Sequence, residues 1–211
     1  MSSVAGSNAQ RALTSDRSLA PSRWVVAVLA AAVPLMWIPL TFLHPESADA
    51  LADVETATWV RVHYAQLALA PLLALGVLFV LRPLPGIAAV GRVTVVLWVA
   101  LFSAFDAIAG IATGVLVDGG FADAAAYLFD HGLVGGGSIL GWIAQPMWIG
   151  VAVASGLAVR SSGASVLCWI AMLASALFST HAGWPAALGL LALSVALWIA
   201  VTRPAPVRTT T

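Results

Sequence analysis

Apolar positions along the chain fall into long unbroken runs, not into the alternating or half-turn patterns of a soluble domain. Six such runs occur, at 24–43, 59–81, 92–117, 138–159, 164–180 and 185–201. At 1.5 Å of rise per residue, about 20 residues cross the roughly 30 Å of a bilayer's hydrocarbon. In that solvent every backbone N–H and C=O must be bonded within the segment, so each run is expected to be a regular helix with no irregular stretch inside it. Only "HAGW" separates the last two runs, which predicts a tight antiparallel pair. The fold class that follows is all-α: a polytopic integral membrane protein, a bundle of six transmembrane helices spanning 21–202.

The polar stretches differ among themselves. Residues 1–20 are small, polar and rich in Ser and Ala, the composition of a disordered tail, and 203–211 forms a second short tail. The stretch 121–131, "FADAAAYLFDH", puts Phe121, Ala125, Leu128 and Phe129 on one helical face and Asp123, Tyr127, Asp130 and His131 on the other. That is the pattern of a short helix lying at the membrane interface.

Charge sets an orientation. Arg11, Arg17, Arg23, Arg82, Arg92, Arg160, Arg203 and Arg208 fall on one side of the six runs and only Arg61 on the other. By the positive-inside rule both termini are expected in the cytoplasm, with the chain a multi-pass protein of the cell membrane. Charged residues make up 9% of the chain, against about 25% in soluble domains. Zero net charge and the lack of a basic patch argue against a nucleic-acid partner. The bilayer is the expected partner, and the sequence is silent on oligomeric state. One cysteine, Cys168, excludes an internal disulfide and a CxxC pair. The chain has no lysine, so a lysine Schiff base is chemically excluded.

Against that economy of charge, Asp106 stands in the middle of the third run, with no cation within ten residues on either side. An ionised carboxylate at that depth costs about 2.5–3.5 kcal/mol or more. Asp106 is therefore expected as a neutral acid, a hydrogen-bond donor and a source of a proton. Helical spacing places Ser103, Asp106, Gly110, Thr113 and Gly114 on one face. Gly110 and Gly114 form a GxxxG that admits a close neighbouring helix. Trp98, Phe102 and Phe105 lie below the acid on the same half of the helix.

All four histidines, His44, His63, His131 and His181, map to the side opposite the arginines. His63 lies about one turn inside the second run with Gln66 on its face. His44, before Pro45, reads as a cap or interface residue. Gln145 and Trp148 lie within the fourth run. Trp24, Trp59, Trp184 and Trp198 are expected at the interfaces, where Trp gathers, and Trp37, Trp98, Trp148 and Trp169 are expected deeper.

These residues suggest an intramembrane enzyme acting on a lipophilic, isoprenoid-like small molecule, a cyclase or isomerase of terpene-cyclase type. Asp106 would protonate an alkene or epoxide, and His63 or water would take the proton back. Trp98, Phe102, Phe105 and Trp148 would supply ring faces to a developing cation, and Gln66 and Gln145 polar contacts. No cofactor is expected on this reading. Two alternatives use the same residues differently: a metal or haem held by His63, His131 and His181, and a proton-linked transporter with Asp106 carrying the proton.

Overall fold

The computed structural model describes residues 22–44, 56–130 and 137–203. Among them there is no strand. The elements are α1 (Arg23–Leu43), α2 (Thr56–Leu81), α3 (Ala88–Asp118), the short α4 (Ala122–Asp130), α5 (Gly137–Ser161), α6 (Val166–Ala174, continued by a 3-10 segment Ser175–Thr180) and α7 (Gly183–Thr202). Five of the helices, α1, α2, α3, α5 and α7, are long and apolar enough to cross a membrane. The fifth apolar run forms the shorter helix Val166–Thr180. His131, residues 1–20 and residues 204–211 lie outside the described residues.

The long helices form a closed ring in chain order. α1 packs on α2, α2 on α3, α3 on α5, α5 on α6, α6 on α7, and α7 returns to α1. Short side chains permit the closure: Ala30 and Ala31 on α1 are buried, as are Ala186, Ala187 and Gly189 on α7. Ser194 Oγ donates to the carbonyl of Ala31 at 2.8 Å across that seam. Because five of the six described arginines, all but Arg61, gather at one end and the described histidines at the other, the bundle has an arginine end and a histidine end.

The arginine end is built on satisfied carbonyls. Arg92 Nη1 donates to Leu81 O at 2.8 Å and to Leu84 O at 3.0 Å, pinning the turn from α2 to α3. Arg160 lies over the Trp169 ring, 5.2 Å from its centroid. Trp169 therefore belongs to this end and not to the deep group in which the sequence placed it.

Two segments depart from regular α-helix, contrary to the expectation from the apolar runs. α3 opens into a π-helix over Asp106–Ala112, and α6 tightens into its 3-10 segment at Ser175. Both occur toward the histidine end, where side chains of the same helix and of neighbouring helices donate to carbonyls of the irregular segments. Thr113 Oγ1 donates to Ile108 O at 2.9 Å, and the Trp148 indole to Ser175 O at 2.8 Å. α4 lies against the end of α3, the π segment and α5. It buries Ala125, but Phe121 is 63% exposed. The helix begins at Ala122, so Phe121 precedes it and is out of phase with the inward face.

Candidate functional site

Small residues on α3 let α2 come close. A Cβ added at Gly110 would collide with the His63 ring, and one at Gly114 would meet Trp59 Cδ1 at 2.7 Å. The GxxxG face thus receives α2. Trp59, expected at the interface, is 3% exposed, and its indole N–H donates to Gly110 O at 2.7 Å. That carbonyl belongs to the π segment, whose widened turn directs it toward a neighbour.

His63 is 1% exposed. Its Nδ1 lies 2.8 Å from the carbonyl of Trp59, which can only accept. Nδ1 therefore carries the hydrogen and Nε2 the lone pair. His44 Nε2 sits 3.2 Å from that lone pair and must be the donor. His44 closes α1, its backbone N–H bonded to Leu40 O, so the cap expected from the sequence is also a member of the site. Its ring meets His181 edge-on at 4.8 Å between centroids. His181 accepts at Nδ1 from Gln145 Nε2 at 3.1 Å. Its φ is +47°, the left-handed conformation uncommon outside glycine, and it caps the 3-10 segment. His181 lies between helices, where burial, followed by the neighbouring His44 and His63, lowers its pKa to about 3. Three imidazoles from α1, α2 and the α6–α7 turn thus converge, with Gln145 of α5 behind them.

One turn deeper on both helices are Gln66 and Asp106. Antiparallel packing that seats His63 on Gly110 brings the next turn of α2, bearing Gln66, level with the next turn of α3, bearing Asp106. Both side chains are 0% exposed. Neither carboxyl oxygen of Asp106 and neither end of the Gln66 amide has a hydrogen-bond partner. Buried polar groups are bonded in the great majority of cases, so two such side chains at one level are unusual.

Beneath the acid is a block of aromatic rings. Trp37 meets Phe102 at 5.6 Å and Phe178 at 5.1 Å between centroids. Trp98 stacks on Phe102 at 5.1 Å and meets Trp148 edge-on at 4.6 Å. Phe105 packs toward His181 at 5.9 Å. The rings are in contact with one another, and Phe102 and Phe105 precede Asp106 on α3 by one turn and by one residue. The Trp37 indole N–H is also without a partner.

The structure therefore seats His63 against Gly110, one turn from Asp106, buries Asp106 and Gln66, joins Gln145 to His181, and gathers Trp98, Phe102 and Trp148 in the aromatic block, with Phe105 against Phe102. Sequence reasoning did not assign His44, Trp59, Trp37 and Phe178 to the site. The grouping of histidines on one side was the only signal pointing to His44. Among the described residues, no group of three or more His, Cys, Asp or Glu side chains is arranged to hold a metal ion. No family model matches the chain, and no curated protein or solved structure matches it.

Proposed function

We propose that the protein is an intramembrane acid–base enzyme that acts on a lipophilic, isoprenoid-like molecule, with Asp106 as the proton donor. The observation that carries this reading is the unpartnered, fully buried Asp106 carboxyl level with an unpartnered Gln66, one turn below a hydrogen-bonded imidazole pair. A carboxyl far from every arginine side chain stays neutral in an apolar interior and keeps a transferable proton. Transfer of that proton to a substrate alkene or epoxide leaves a cation, to which Phe102 and Phe105, within one turn of Asp106 on α3, would offer ring faces. His63 is the base of the imidazole pair, because its Nε2 holds the lone pair. His44 is a positioning residue that donates to that atom. The cycle closes when the cation loses a proton and Asp106 regains one.

The reading includes a six-span topology in the cell membrane, with the arginine end cytoplasmic. Val166–Thr180 would be the sixth span, completed to membrane length by the adjoining turn residues. Reporter fusions after Arg82 and Arg160 should then read cytoplasmic, and a fusion in α4 external. An external reading after Arg160 would overturn the topology.

Proton-linked transport is the second reading. It is favoured by the His44–His63 pair, which leads from the histidine end of the bundle toward the level of Asp106. The deciding experiment uses the purified chain in liposomes with isoprenoid candidates. The enzyme reading expects product formation that Asp106→Asn abolishes. Solute-coupled proton flux with the substrate unchanged would instead establish transport.

A further inference from the structure

We infer that the group recognised between α2 and α3 is an oxygen-bearing head on an apolar chain, such as a terminal epoxide or a ketone, and not a bare alkene. This rests on the reading of Asp106 as a proton donor to a lipophilic substrate. The argument is an inventory of unmade hydrogen bonds. A neutral Asp106 offers one O–H donor and one carbonyl acceptor; Gln66 offers two N–H donors and one acceptor. All of these atoms are buried without a partner, and so is the indole N–H of Trp37, whose ring packs on Phe102 one turn from Asp106. Four O–H and N–H donors and two carbonyl oxygens are thus buried without a partner, and each of those donors is met only by a lone pair.

An alkene has no lone pair and leaves every one of these groups unmet. An epoxide or ketone oxygen has two, and accepts from Asp106 O–H and Gln66 N–H together. A phosphate or carboxylate head would need a cation at this level. The described arginines are elsewhere, with Arg23, Arg82, Arg92, Arg160 and Arg203 at one end of the bundle and Arg61 exposed near the other. For an epoxide the step balances without a further reactant. The proton passes from Asp106 to the epoxide oxygen, the bond to the more substituted carbon breaks, and its electron pair stays on oxygen as a hydroxyl of the same molecule. A carbocation forms on that carbon, and Asp106 is left as carboxylate. The proton later lost from the cation restores the acid. Gln66 is a positioning residue in this step, holding the oxygen against Asp106.

The test compares farnesene with its terminal epoxide, and with a tertiary amine of the same chain, on the full-length protein in phospholipid nanodiscs. Binding is read by quenching of tryptophan fluorescence. The carboxyl is read by the infrared carbonyl stretch of protonated Asp106, identified by its loss in Asp106→Asn. The epoxide is expected to bind about 10-fold more tightly than the hydrocarbon, the worth of one to two hydrogen bonds, and to shift the carboxyl band. Gln66→Leu, which replaces the unpartnered amide at similar volume, is expected to cut the preference to about 3-fold, with the Asp106 O–H left as the remaining donor. Gln66→Met is the companion variant should Leu disturb folding. Equal binding of epoxide and hydrocarbon overturns the inference, as does a preference that both Gln66 variants leave undiminished. So does a band that no compound shifts, in which case the acid meets water alone, or an amine that binds tightest and ionises Asp106. Failure of the parent reading looks different: Asp106→Asn would turn the epoxide over at the wild-type rate while the binding preference stayed intact.

Discussion

The two ends of the bundle treat polar atoms in opposite ways. At the arginine end, Arg92 satisfies two carbonyls of the α2–α3 turn, Arg203 reaches Ser162 Oγ at 3.5 Å, and Ser161 and Ser162 bond back to carbonyls in their own helix. The helices there are regular, and among the described residues a Ser155 hydroxyl is the one buried polar side chain at this end left without a partner. Toward the histidine end the same six-helix ring contains a π segment, a 3-10 segment and a left-handed histidine. It also holds the unpartnered polar atoms of Asp106 and Gln66, and of Trp37 just below them. Irregular backbone is costly in hydrocarbon unless protein re-satisfies it. Here Trp59, Thr113 and Trp148 do so, while the side chains they surround stay unbonded. One end is built for stability, and the other retains groups that stability alone would remove.

Activity should break along that divide. Asp106→Asn keeps the size of the side chain and removes the transferable proton, so turnover should fall by about 10²–10⁴-fold. Thermal unfolding in detergent should barely move, because Asp106 has no hydrogen-bond partner to strand. Full activity in Asp106→Asn would make the histidine end structural and erase the contrast.

A smaller effect, on stability, is expected at the contact between α2 and α3. Gly110→Ala drives a methyl group into the His63 ring and should destabilise by about 1–3 kcal/mol through overpacking. Helix propensity, which favours Ala by about 1 kcal/mol, offsets only part of this. A melting temperature at or above that of the wild type would mean that α2 can retreat, and that the His63 position is soft. Arg92→Met is the matched probe at the other end. Losing its two bonds to carbonyls should cost about 1–2 kcal/mol with turnover of the folded fraction unchanged. A selective loss of turnover in Arg92→Met would show that the ends are coupled.

The finest test is pH. The His181 ring is held neutral in the folded protein, with its pKa lowered to about 3 by burial and by the adjacent His44 and His63. In the unfolded chain it titrates near 6.5. The unfolded state therefore binds the extra proton, and stability should decline as pH falls below about 6.5 toward 3. Melting curves from pH 8 to 5 should show that decline, and His181→Gln should flatten it. An unchanged slope in His181→Gln would assign the pH response to other groups.

His63 and Gln66 were legible as one face of α2, and Asp106 and Gly110 as one face of α3, because helical spacing is reliable over one or two turns. Gly110 predicted a close neighbour for the same reason, and α2 is that neighbour. His44 was legible only as a helix end, since no spacing relates it to a residue 19 positions along on another helix. Trp59 looked like an interface residue because a Trp at the start of a span usually is one. Its burial depends on Gly114 allowing α2 to sink against α3. Phe121 and Trp169 were misplaced by a turn or less at helix ends, where phase and depth are set by the cap and by the neighbour, not by periodicity.

What the sequence determined by itself is the solvent and its consequences. Long runs without charge force helices, because an apolar medium leaves the backbone no other partner, and the one-sided arginines mark the two ends. The tertiary structure alone decided which polar groups meet. The π segment that begins at Asp106 lies where α2 and its indole donor meet Gly110, and a uniform 3.6-residue period has no place for it. Likewise the convergence of His44, His63 and His181 depends on ring closure between α1 and α7. That closure is set by packing among small residues far apart in the chain, and no local pattern of hydrophobic and polar positions encodes it.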